Sequence, residues 1–194
     1  MEVLTDMRRA VARSAALAAS CVALIHAPIH IPAAVAAAEG DSLEYTVKAA
    51  YLFKFGIYVD WPSGTFSSPS SPLNLCIVGD DPFGATLDAA VSGQRIENHP
   101  VVLQRLRTLT RDAGCHIAYA ASADALRNID AARGSGILTV SDGRGASIIG
   151  FVVKDNRVRF TIDEQAAAQN GLTISSKLLG LALNVTPRQG KEGR

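Results

Sequence analysis

This sequence predicts one α/β domain, with a mixed β-sheet of about six strands covered by helices. From residue 73 onward, short apolar runs alternate with helix-patterned stretches, the order that builds a sheet with helices packed on it. Two strand-like runs near the end are joined by Asp155-Asn156, a good hairpin turn, so part of the sheet is antiparallel. No internal repeat and no second domain is visible. The chain of 194 residues, 48% of them hydrophobic, is long enough to bury a sizeable core.

The first 38 residues read as a secretory signal peptide. Arg8, Arg9 and Arg13 precede a small, apolar stretch, and "AVAAAEG" places Ala36 and Ala38 at the −3 and −1 positions of a cleavage site. The apolar core, Ser14 to Ile25, is short for a bilayer span of about 20 residues, and His26, Pro28 and His30 interrupt its continuation. Cys21 after "LAAS" loosely resembles a lipoprotein box, but Ala18 stands where leucine is expected. The domain is therefore expected over 39–187, with a polar, disordered tail over 188–194.

Each element has a local reason. "DSLEYTVKAAYLFKFGIYV" (41–59) opens with Asp41 and Glu44 at capping-box spacing and holds no proline, which predicts a helix of about four turns. Lys48 and Lys54 are its only charges after Glu44, so it should be clasped on more than one side. Val47, Tyr51, Phe55 and Tyr58 recur at helical spacing and are expected against the sheet. Pro62 disfavours helix at Trp61 and ends the segment.

"LNLCIVG" (73–79) then reads as a buried strand. "DDPFGATLDAAV" reads as a helix with Asp81 as N-cap and Pro82 in its first turn. "HPVVLQRL" (99–106) alternates as a half-buried strand, and "GCHIAYAA" (114–121) is another strand. Ser122 caps "SADALRNIDAA", and "GILTVSD" (136–142) is a strand before the hairpin. Asp163 caps "EQAAAQN", Gly171 stops it, and "SSKLLGLALNV" (175–185) is expected as the last helix.

Charge and composition exclude several chemistries. Residues 1–38 carry three arginines against Glu2 and Asp6, so the rest of the chain balances at 16 basic and 16 acidic side chains. Nucleic acid, which needs clustered positive charge, is not an expected partner. Only His99 and His116 follow residue 38, at no spacing that suits zinc, so no metal site is expected.

Cys115 and His116 are neighbours on a strand and point to opposite faces, so they cannot be a nucleophile and base in contact. "VGDDPFG" lacks phosphate-loop glycines and sets Asp80 and Asp81 where an anion would sit. Ser141 and Asp142 lie in no G-x-S-x-G elbow. No cofactor and no catalytic residue is expected; a hydrolase using Cys115, His116 or Ser141 is the third-ranked reading. Cys76 and Cys115 either pair or remain reduced core residues, and an exported protein favours the bond.

Four segments carry a resemblance. "YTVKAAYLFKFGIYVDWP", "LCIVGDDPFG", "GCHIAYAA" and "GLTISSKLLGLALNV" occur in an order and spacing that resemble the YfiR/HmsC family of exported bacterial proteins, over residues 43–185. The resemblance implies a periplasmic repressor that holds an inner-membrane diguanylate cyclase inactive by binding its periplasmic portion, so lowering cyclic di-GMP and biofilm formation. It implies a structural Cys76–Cys115 disulfide, and it admits an outer-membrane-associated antagonist and a homodimer. Better-known members carry a second cysteine pair later in the chain, whereas no cysteine follows Cys115 here. Most of the aromatic segment is expected in the core, with Trp61 the first candidate for partner binding. The alternative is a periplasmic small-molecule-binding sensory module.

Overall fold

The computed structural model describes residues 33–131, 134–143 and 147–189. Residues 1–32 of the expected signal peptide (1–38), and the expected tail beyond residue 189, lie outside the described residues. Contacts group Glu39–Arg194 into one unit, to which the sheet belongs.

Helix α1 (Ala33–Leu52) runs into a 3-10 helix (Phe53–Tyr58) and a short strand β1 (Val59–Asp60). There follow β2 (Leu73–Val78), α2 (Ala85–Val91), β3 (Arg95–Ile96), β4 (His99–Leu106), β5 (Ile117–Ala120), α3 (Ala123–Ala131) and β6 (Leu138–Asp142). The chain continues through β7 (Ile149–Lys154), β8 (Arg157–Asp163), α4 (Glu164–Gln169), β9 (Thr173–Ile174), α5 (Ser176–Leu179) and β10 (Asn184–Thr186).

Among the described residues the main sheet has eight strands, in the order β10-β8-β7-β6-β5-β2-β4-β3. Strands β4, β2, β5, β6 and β7 are mutually parallel. The hairpin sets β8 antiparallel to β7, and β10 runs parallel to β8. β1 and β9 form a separate antiparallel pair. The expected mixed α/β sheet is therefore present, wider than six strands because the short β3 and β10 extend its edges.

Both faces of the central strands are buried, as parallel strands require. On one face α1, the 3-10 helix, α2, α4 and α5 enclose Leu52, Phe55, Leu75, Tyr119, Val140, Phe151 and Phe160. On the other, Ala125 and Ile129 of α3 pack against Cys76, Val78, Ala118 and Ala120. The caps act as expected: Asp163 accepts from Ala166 N at 2.8 Å and Ser122 from Ala125 N at 3.2 Å. Asp155 and Asn156 both adopt positive φ, 51° and 55°, the conformation of a two-residue hairpin turn.

Four local expectations are corrected. The α-helix stops at Leu52 and tightens into the 3-10 helix. Gly56 is a poor helix former, and it packs so closely on β2 that a Cβ there would lie 3.1 Å from Leu73 Cδ1. Tyr51 is 41% exposed; it covers the core rim by contact with Phe55 and Phe160, while Leu52 and Phe55 occupy the interior. The helix after Asp81 begins only at Ala85, and the Asp81 carboxylate instead closes the preceding turn by accepting from Phe83 N and Gly84 N. The last segment is one helical turn followed by a strand. Gly180 ends α5, and the backbone of β8 offers Asn184–Thr186 a ladder that satisfies their polar groups.

Candidate functional site

Cys76 lies on β2, and Cys115 lies two residues before β5. Because these strands are parallel neighbours, the two Cα atoms stand 5.9 Å apart and the residues are joined by a disulfide, within the normal span for such a bond. Both cysteines are buried under α3. The bond leaves neither thiol available as a nucleophile or metal ligand.

Trp61 sits where the chain leaves β1, at the N-terminal ends of the central strands. Its ring meets Phe66 edge-on at 5.9 Å and His116 at 6.4 Å. Phe66 is sandwiched between two imidazoles, His99 at 3.8 Å and His116 at 4.5 Å. His99 Nδ1 lies 2.6 Å from the Ser71 carbonyl, and His116 Nδ1 accepts from Asn74 N at 3.0 Å. Burial lowers the His116 pKa, against a hydrogen bond to the Thr65 backbone that raises it; His99 pushes it down further. The neutral ring thus pins the 61–72 loop to β2. Trp61 is half-buried and packs against the main core. Its Nε1 is buried without a hydrogen-bond partner.

Beside this loop lies an open groove of about 580 Å³, lined by Pro62, Thr65, Ser135, Asn170, Gly171 and neighbours. Among the described residues no charged side chain lines it. Asn170 Oδ1 accepts from Gly134 N, and Ser135 Oγ is buried without a partner.

At the opposite ends of the strands a second polar cluster crosses from α1 to β6. Lys48 is only 3% exposed; its Nζ lies 2.7 Å from Asp142 Oδ1 and 2.5 Å from Glu44 Oε1. Tyr45 Oη donates to Asp142 Oδ2 at 3.3 Å. Burial works to lower the Lys48 pKa, but hydrogen bonds to Asp142 and Glu44 more than offset it, and the net shift is upward. Tyr119 is fully buried, and its hydroxyl lies close to Asp142 without forming a hydrogen bond of ordinary geometry. Burial first, and then Asp142, raise its pKa. This cluster was not anticipated from sequence, although an isolated lysine in an apolar helix with glutamate four residues before it was the available signal.

The other sequence candidates fall into structural roles. Ser141 is 1% exposed and bonds Ser147 Oγ at 2.7 Å. Asp81 pairs with Arg105 Nε at 2.7 Å, and Arg105 also grips Asp88 at 2.8 Å. Asp80 is exposed in the turn after β2. Among the described residues no group of three or more His, Cys, Asp or Glu side chains is placed to hold a metal ion, and no helix is long and apolar enough to cross a membrane.

A family model described as YfiR/HmsC-like matches residues 45–183, well over half of the chain. No curated protein matches it.

Proposed function

Because the chain belongs to the YfiR/HmsC-like family, we propose that it is a periplasmic regulatory binding protein that represses an inner-membrane diguanylate cyclase, lowering cyclic di-GMP and biofilm formation. The family match over 45–183 carries this reading. The geometry supports action by binding: the cysteines are bonded to each other, Ser141 is sequestered, and the buried Lys48 ammonium is held by both Glu44 and Asp142. Regulation of this kind needs no turnover and no cofactor.

A cyclase whose catalytic end faces the cytoplasm responds to a periplasmic protein only by shifting between two conformations. The shift is no larger than the protein's differential affinity for them. A preference of about 100-fold, near 2.7 kcal/mol, suffices for a clear change in output. Trp61, half-buried at the edge of the core, is the proposed partner contact. An outer-membrane-associated antagonist that competes for this protein, and a homodimeric form, are compatible with the same scheme.

The test is direct binding between the purified protein and the periplasmic segment of a co-encoded cyclase. A saturable complex weakened by Trp61→Ala is expected. Absence of a complex with the wild-type protein contradicts the reading.

The groove beside Trp61 favours a second reading, a periplasmic small-molecule-binding sensory module. Its volume of about 580 Å³ falls in the range of ligand sites, and Thr65, Ser135 and Asn170 give it a polar lining. A stoichiometric adduct in native mass spectrometry, lost on Ser135→Val, would establish it.

A further inference from the structure

The β7–β8 hairpin places Lys154 directly opposite Arg157. Phe151, Phe160 and Ile162 belong to the core under α1, so strand alternation puts Lys154, Arg157 and Arg159 together on the other face. Like charges directly opposite one another destabilise a strand pair. None of these three exposed cations forms an ion pair among the described residues. Arg105, an exposed arginine on β4, instead holds two aspartates. The three cations line a groove of about 270 Å³ with Asp155 and Leu183. The hairpin thus concentrates three cations against the single carboxylate of Asp155 in one concavity, with no ion pair to any of the three among the described residues, at a cost to its own stability.

We propose that this groove docks an acidic segment of a partner protein, whose carboxylates pair with Lys154, Arg157 and Arg159. Arginine favours a carboxylate through two parallel hydrogen bonds, and the groove is of a size for acidic side chains. A lone small anion fits less well, because the cations are exposed and a surface ion pair by itself contributes little. A protein segment adds apolar contact: Leu183, half-buried, forms part of the groove lining. A lipid surface is flat, whereas this site is concave and carries Asp155 in its lining. The inference stands independently of which partner the protein regulates.

Purified full-length protein is titrated into a fluorescein-labelled peptide of alternating glutamate and leucine. Lys154→Glu/Arg159→Glu is compared with Arg107→Glu/Arg111→Glu, which makes the same charge change elsewhere on the surface. The first variant should weaken binding at least about tenfold and the control by less than about twofold. Lys154→Glu alone should weaken binding while leaving the thermal midpoint unchanged or raised, since it turns a repulsive cross-strand pair into an attractive one. Failure of the wild type to bind, or equal loss in both double variants, overturns the proposal. Displacement of the peptide by inorganic phosphate at matched ionic strength would reassign the groove to a small anion. Binding to phosphatidylglycerol vesicles in preference to the peptide, abolished only by the hairpin variant, would reassign it to a lipid surface.

Discussion

Lys48 Nζ lies 2.7 Å from Asp142 Oδ1 across 94 positions of sequence, tying α1 to the C-terminal end of β6. Removing one partner of a buried pair costs more than the pair is worth, because the other charge stays buried. Asp142 is 31% exposed on its side chain and Glu44 remains in place, so Asp142→Asn should cost about 1–3 kcal/mol in urea unfolding. Lys48→Met/Asp142→Asn should cost less than the two single losses added together. The Lys48 pKa is raised above its ordinary 10.5. Its contribution is therefore complete below that value and disappears as pH rises through the higher folded value. Asp142→Asn should flatten this alkaline loss.

The disulfide closes a loop with a sequence separation of 39. Constraint of the unfolded chain contributes roughly 4 kcal/mol in the chain-entropy model, and loss of such bonds from small exported domains typically costs about 2–5 kcal/mol. Cys115→Ser should lower the thermal midpoint by several degrees and leave the far-ultraviolet circular dichroism of the native state unchanged. Labelling of both cysteines in the native, oxidised wild type would show that the bond is absent.

His116 should titrate below its ordinary 6.5 because burial opposes its charge. The folded state then binds fewer protons than the unfolded chain at mildly acid pH. The stability this group contributes is present above pH 6.5 and is lost as pH falls through the lower folded value. Protonation also ends the role of Nδ1 as acceptor for Asn74 N, loosening the loop that carries Phe66 and Trp61. His116→Gln should reduce the acid dependence of unfolding relative to wild type. Proton NMR titration of the ring at or above 6.5 would contradict this.

The fold was legible wherever local signals and tertiary packing agree. The apolar run Leu73–Val78, the Asp155-Asn156 turn and the Asp163 cap each specify their element through side-chain or backbone chemistry within a few residues. Residues 175–185 depart from the expected helix: their apolar pattern suits one, while the open ladder of β8, earlier in the chain, recruits their end as β10. Tyr51 followed the expected helical spacing, but the turn of the chain into the 3-10 helix hands the interior to Leu52 and Phe55. The Cys76–Cys115 pair was accessible because the expected export and two cysteines in apolar, strand-patterned runs favour a bond. The Lys48 cluster and the Phe66 sandwich were not, since each joins residues from separate elements whose meeting depends on strand order.

The most direct test of the repressor account is cyclic di-GMP measured after deletion of the gene, with the partner cyclase present and with it removed. The account requires the nucleotide to rise on deletion only where the cyclase is present, and to fall again when the wild-type gene is restored. An unchanged level in a strain that expresses the cyclase, or an equal rise in one that lacks it, would contradict repression through periplasmic contact.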